Sequence, residues 1–365
     1  VPWLGLQALG EGSVGAGLNI VLTTETQKLN AIGGPTDPTP FATLFTGMVF
    51  ANLFYWCTNQ YVIQRTLAAR SLAEGQKGVL LSGFFKVLVP MLMMIPGVVA
   101  YHLYGPELQS IDLAYPQLVR DVLPVYATGF FLAVLLGAVL SSFNSLINSA
   151  STLFCIDVYQ PLVGRAVSDT EMVRVAKRVG LVMTGFSLFV APLLQFAAEG
   201  LWQVIRIFTG FYNIPMIAIV IIGLFTRQVP ALAAKVVIVF HIVAYGAFQF
   251  VLKDLLPVHF LHLYAILFVV EVAMMLAIGV WHPRKEETAI RQTAEVDLTP
   301  WAYAPPCAVT LLSCVVALYV VFSPIGLVGE GSNLFAPALL GLLALNVLFW
   351  FGWHWRLTAG SGAHA

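Results

Sequence analysis

The chain has 365 residues, of which 59% are apolar and 10% charged, with a mean hydropathy of +0.86. An ordinary globular chain carries about 25% charged residues, so this composition excludes a water-facing surface over most of the molecule. The 18 positive and 18 negative side chains cancel, which leaves no basic excess to attract nucleic acid.

Val1 to Leu9 is apolar but too short to span a bilayer, and it lacks the basic start of a signal peptide. It reads as the tail of an earlier helix. Residues 10–40 mix Gly, Thr and Pro with charges and read as an external loop. Nine windows of spanning length and few charges follow, at about 41–64, 78–104, 123–156, 179–198, 201–226, 232–252, 258–281, 302–323 and 334–355. The third lies within 35 uncharged residues, 122–156, and is taken as one long or tilted helix because no turn signal interrupts it. Between the seventh and eighth windows, Pro283 to Pro300 is a charged stretch suited to a cytoplasmic connection, and no separate soluble domain is expected.

Orientation follows from Lys and Arg, which favour short cytoplasmic loops. With the 65–77 loop inside, thirteen of the 18 fall on that side, three (Lys28, Arg120, Lys253) fall outside, and Lys86 and Arg206 stay within spans. The bias predicts nine crossings with the N-terminus outside. Cys57, Cys155, Cys307 and Cys314 each sit in an apolar segment without metal-site or disulfide spacing, and read as small core residues.

Charged side chains at membrane depth are costly unless they meet a partner or water, so Lys86, Arg206 and Glu271 are candidates for function. Lys86 is nine residues into its window, roughly 13 Å along a helix, which is deep for snorkelling. Arg206, near the outer end of its helix, is placed to snorkel. Glu271 has no motif around it and suggests a structural hydrogen bond.

Two polar stripes stand out. Asn52, Tyr55, Trp56 and Asn59 have the i, i+3, i+4, i+7 spacing of one helix face. Amides match hydroxyls and an aromatic ring stacks on a sugar's apolar face, while the same residues also suit an interfacial belt and interhelical hydrogen bonds. Ala138, Ser141 and Ser142 share i, i+3, i+4 spacing, and their oxygens are hard ligands for an alkali cation. Small residues equally permit close helix packing. Gly210 and Pro215, inside Leu201 to Pro215, mark a disturbance of the kind that lines binding sites in transporters and also occurs in packed membrane helices.

The run FYWCTNQYVIQRTLAARSLAEGQKG (54–78) resembles the solute:sodium symporter family, in its sodium/glucose cotransporter branch. The resemblance continues through FFKVLVP (84–90), LSSFNSLINS (140–149) and CIDVY (155–159), to about residue 320. It implies an all-α membrane protein whose core is an inverted pair of five-helix repeats. On that pattern 1–40 is the end of a preceding helix with an extracellular loop, 41–226 the second five-helix repeat, and 227–365 peripheral C-terminal helices. The first core helix, with further sodium ligands, would precede residue 1, so these 365 residues by themselves are not expected to transport.

Carried over by position, the resemblance assigns solute contacts to Asn52 and Lys86, with Tyr55 stacking on the solute beside Trp56. It assigns sodium to the Ala138 carbonyl and the Ser141 and Ser142 hydroxyls. The sugar-contacting Gln of the family's tenth core helix is replaced by Arg206, with Gln203 one turn earlier. The expected function is sodium-coupled symport of a sugar or polyol across the plasma membrane, with the bilayer and a small solute as partners. An acidic sugar, another carboxylate or an amino acid is the alternative substrate, and a transporter-like sensor the alternative role. An intramembrane enzyme is disfavoured, because the sequence holds no HExxH, no GxSxG and, within the spanning windows, no acid pair.

Overall fold

The computed structural model describes residues 1–361 except 109, 197–200, 254, 257, 285–295, 330 and 331. Most of the expected Pro283–Pro300 connection, including Lys285 and Arg291, lies outside the described residues, as does the end of the 179–198 window. In chain order the helices are α1 (Pro2–Leu9), α2 (Val14–Thr23), α3 (Gly47–Leu53), α4 (Gln60–Leu67), α5 (Leu72–Val87), α6 (Val89–Tyr104), α7 (Ala114–Val122) and α8 (Val125–Leu153). They continue as α9 (Gln160–Val163), α10 (Asp169–Val190), α11 (Leu201–Phe225), α12 (Ala231–Ala247), α13 (Phe260–Trp281), α14 (Ala304–Val321) and α15 (Phe335–Ser361). Among the described residues there is no β-strand, only one isolated bridge between Ser71 and Asp297.

Eight stretches among the described residues are long and apolar enough to cross a membrane. They match the second to ninth windows, and the protein is an all-α, multi-pass integral membrane protein. The first window departs from expectation. Instead of one continuous helix, residues 41–64 form a 3-10 turn at Phe41–Phe45, then α3, then a π-turn at Phe54–Thr58, then extended backbone at Asn59 before α4. The second window is also interrupted, because Pro90 lacks the N–H a continuing helix needs and the ladder restarts with α6. The 35-residue window does form one long rod, α8 running through a π-turn at Phe154–Tyr159 into α9. Its ends follow from sequence, with Pro124 at the start and Gly164 in the left-handed conformation (φ 65°) at the end.

The described residues group into two compact units. The first comprises Val1–Ala42, Thr66–Leu123 and Ile290–Ala365. Residues 10–40 are not all loop: Ser13 accepts the Ala16 N–H and caps α2, whose apolar run then continues the helix. Val21, Leu29, Val99, Ala100 and Leu118 form this unit's buried core with Val328. Across α14 and α15, Asn346 donates to the hydroxyls of Thr310 and Ser313 at 3.2 and 3.3 Å, and the Trp350 indole donates to Thr310 at 2.8 Å. Such bonds set register where apolar contact with lipid and with protein are equivalent.

The second unit, Thr43–Arg65 and Pro124–Ala289, packs α3 against α11 and α13, with α12 beside both, while α8 packs on α10. The core holds Ile214, Tyr245, Phe260, Leu261, Tyr264 and Leu267. Two glycines make this packing possible. A Cβ on Gly47 would lie 1.7 Å from the Leu261 carbonyl oxygen, and one on Gly210 would lie 2.3 Å from the Tyr264 hydroxyl. Gly47→Ala is therefore expected to cost at least the roughly 1–3 kcal/mol typical of overpacking and to lower the thermal midpoint of the purified protein. Gly185→Ala, where a Cβ meets nothing within 4 Å, should leave it unchanged, and equal midpoints for the two would contradict this packing account.

Candidate functional site

The broken segment α3–α4 carries the first polar stripe. Gly47 brings α3 against α13, and the π-turn then widens the helix, with the Asn59 N–H donating to Phe54 O at 3.0 Å in an i to i−5 bond. Thr58 reinforces it by donating its hydroxyl to the same carbonyl at 2.9 Å. At Asn59 the chain turns extended (φ −72°, ψ 114°), and its carbonyl accepts the N–H groups of Val62 and Ile63 to start α4. Asn52, Tyr55, Trp56 and Asn59 thus do not share one face of a regular helix, because the wide turn rotates the residues after Leu53 away from 3.6-residue spacing.

The side chains near this break are mutually engaged. Asn52 Nδ2 donates to Met48 O at 2.9 Å, and the Tyr55 and Tyr61 hydroxyls are hydrogen-bonded to each other. The Tyr55 ring meets Trp56 edge-on at 5.2 Å between centroids and Tyr61 at 5.8 Å. Tyr55 is half-buried while Asn52 and Trp56 are exposed, and Cys57 is also exposed instead of in the core.

Arg206, on α11, is half-buried. Its guanidinium lies over the Phe260 ring, 5.6 Å from the centroid, and Nη2 donates to Met48 Sδ at 3.6 Å. Met48 therefore joins Arg206 to the turn bearing Asn52. Gln203 is half-buried one turn earlier on the same helix. Pro215 does not break α11, which runs unbroken from Leu201 to Phe225, and Gly210 serves close packing. Instead, side chains from α12 and α13 grip its backbone: Tyr264 donates to Arg206 O at 2.7 Å and Tyr245 to Ile207 O at 3.0 Å.

On α8, Ala138, Ser141 and Ser142 are exposed. Ser145 donates to Ser141 O at 3.0 Å and accepts from Arg65 Nη2 at 2.7 Å, while Asn148 donates to Gln64 at 3.4 Å. These contacts lay α4 along the same polar stripe, a link the sequence reading missed although Arg65 and Ser145 both lie in the quoted motifs. Lys86 belongs to the first unit, exposed in the last turn of α5, where a positive charge suits the helix C-terminus.

Glu271 is fully buried on α13 and meets a residue that sequence reading passed over, His241 of α12, with Nδ1 2.5 Å from Oε1. Two ionisable groups in the middles of successive apolar windows were the available signal. Among the described residues no group of three His, Cys, Asp or Glu is arranged to hold a metal ion.

Residues 15–237 match the sodium:solute symporter family, and the chain belongs to it. It is 39% identical, over 98% of its length, to an uncharacterized symporter, YidK, of Escherichia coli (strain K12). It is 33% identical over 54% of its length to the sodium/glucose cotransporter of Vibrio parahaemolyticus, and 33% over 53% to sodium/myo-inositol cotransporter 2 of Homo sapiens. The chain spans 62%, 39% and 31% of those three relatives respectively.

Proposed function

We propose that the protein carries a small polyhydroxylated solute, a sugar or polyol, together with sodium by alternating access. The observation that carries this reading is the broken helix α3–α4, which leaves the Asn52 amide and Trp56 exposed beside a half-buried Tyr55, on a segment whose Met48 accepts from Arg206. The names of the glucose and myo-inositol cotransporters support the solute class. In this reading Asn52 uses one N–H on Met48 O and presents its carbonyl oxygen to a solute hydroxyl. Tyr55 and Trp56 offer ring faces, and Gln203 and Arg206 supply polar contacts from α11. Lys86 is assigned to the solute by the family pattern only.

The Ala138 carbonyl and the Ser141 and Ser142 hydroxyls are the proposed sodium ligands. Their oxygens fit a hard monovalent cation, and a helical carbonyl keeps a second lone pair for it. One sodium ion moving through 100 mV gains about 2.3 kcal/mol, and a tenfold gradient adds about 1.4 kcal/mol. The sum supports roughly 500-fold accumulation at one-to-one coupling. A single cation site therefore suffices energetically.

In the intact protein, Ser142→Ala is expected to raise the sodium concentration for half-maximal uptake several-fold, since a ligand is lost with little change in helix propensity. Unaltered sodium dependence would return the serines to helix packing. Tyr55→Ala should abolish measurable solute affinity. Tyr55→Phe should weaken it only about fivefold, the effect of one neutral hydrogen bond lost to Tyr61. Equal losses from the two changes would contradict stacking.

Arg206 favours a second reading, in which the solute is an acidic sugar or other carboxylate held by two parallel guanidinium hydrogen bonds. Its position over Phe260 supports instead a wall residue, with Gln203 supplying the amide. Competition of glucose, galactose, myo-inositol and glucuronate for sodium-dependent uptake separates the two. Neutral sugars should lead, with the same ranking in Arg206→Gln. A shift from glucuronate toward neutral competitors on substitution would assign Arg206 to charge selection.

A further inference from the structure

The buried pair His241–Glu271 has no part in the assignments above, yet it holds the helix that carries two of them. Both side chains are 0% exposed. Each lies near the middle of its apolar span, Ala231–Leu252 for His241 and Phe260–Trp281 for Glu271, about 15 Å from the nearer end at 1.5 Å per residue, half the thickness of a hydrocarbon core of about 30 Å. His241 Nδ1 lies 2.5 Å from Glu271 Oε1, and His241 Nε2 lies 3.0 Å from the Gly210 carbonyl oxygen.

Donor and acceptor rules fix the protons. A carbonyl oxygen only accepts, so Nε2 carries a hydrogen. Nδ1 and Oε1 then share one more, as imidazolium with carboxylate or as imidazole with carboxylic acid. Glu271 Oε2 is buried without a hydrogen-bond partner among the described residues. On a carboxylate that oxygen would bear about half a negative charge with no donor to meet it, whereas on an acid it is a neutral carbonyl oxygen. The neutral form fits the geometry.

The neighbouring groups agree. On α12, Tyr245 stacks on the His241 ring at 5.5 Å and 19°, and its hydroxyl is committed to Ile207 O. On α13, the Tyr264 hydroxyl is committed to Arg206 O, and His262 Nδ1 is hydrogen-bonded to the Thr46 hydroxyl at 2.9 Å. α11 adds Arg206, over Phe260, and the exposed Tyr212, while Lys235 lies in the first turns of α12. Neither α3 nor the π-turn Phe248–Leu252 contains a titratable side chain. Three α11 carbonyls, those of Arg206, Ile207 and Gly210, are thus held from α12 and α13.

We propose that His241 and Glu271 are positioning residues that share one proton and clamp the Gly210 carbonyl, fixing α11 about one turn beyond Arg206 and two turns beyond Gln203. Their effect on the solute rests on the reading that α11 contacts it; the clamp itself does not.

The test uses the purified intact protein and the variants Glu271→Gln and Glu271→Ala. A glutamine Nε2–H can donate to Nδ1 of neutral imidazole, so Glu271→Gln keeps the clamp and removes the acid. At neutral pH the parent should show an infrared carbonyl band of a protonated carboxyl that Glu271→Gln lacks. Amide hydrogen exchange across residues 201–215 should be unchanged in Glu271→Gln and about tenfold faster in Glu271→Ala, the effect of about one buried hydrogen bond. The KM for sodium-dependent myo-inositol uptake should rise about tenfold in Glu271→Ala, with the sodium half-saturation unmoved and the KM of Glu271→Gln close to that of the parent. Absence of the acid band in the parent, or Glu271→Gln exchanging faster than the parent, overturns the proposal even if the alanine variant does not fold. No myo-inositol uptake by the parent would count against the solute reading, while infrared and exchange still decide the clamp.

Discussion

Hydrocarbon offers no hydrogen bonds, so each polar group placed at membrane depth must be answered from within the protein. Much of the second unit is organised by that requirement. Where α3 gives up its regular ladder, the Thr58 hydroxyl and the Asn59 N–H both return to Phe54 O. Where α11 packs too closely for side chains, Gly210 admits two tyrosines, and their hydroxyls, with His241, take three of its carbonyls. The polar residues facing α11 thus hold shape, whereas those around the α3–α4 break are the ones proposed to meet a solute.

This division bears on coupling. α4 reaches α8 through Arg65 and Gln64, and Ser145, which accepts from Arg65, itself donates to the carbonyl of Ser141. The segment proposed to bind solute and the stripe proposed to bind sodium are thus joined by side-chain hydrogen bonds in one unit. In the proposed function these contacts offer a physical link between the proposed cation site and α4.

Much of the architecture was legible because membrane spans are written in charge spacing. Eight of nine windows appear as helices, the long rod from Val125 included. The first window failed because its break is made by a π-turn and an extended Asn59, neither of which has the Gly or Pro signal that marks breaks elsewhere. The reverse error occurred at Pro215, a strong breaker that a packed helix absorbs. α2 hid in a Gly-rich stretch read as loop, although Ser13 was available as its cap. Of the candidate site, the spacing of Ser141 and Ser142 holds on the regular helix α8, whereas the common face expected for Asn52, Tyr55, Trp56 and Asn59 is lost to the π-turn. The contacts of Arg65 with Ser145 and of His241 with Glu271 join residues 80 and 30 positions apart, and no local periodicity reports such pairs.

The central claim is that sodium and a neutral solute move together. The most direct measurement is charge movement on a solid-supported membrane carrying proteoliposomes of the intact protein, triggered by a jump in glucose or myo-inositol. The account predicts an inward transient in sodium buffer, absent when choline replaces sodium and abolished by Tyr55→Ala. A transient of equal size in choline, or none with either sugar in sodium, would contradict it.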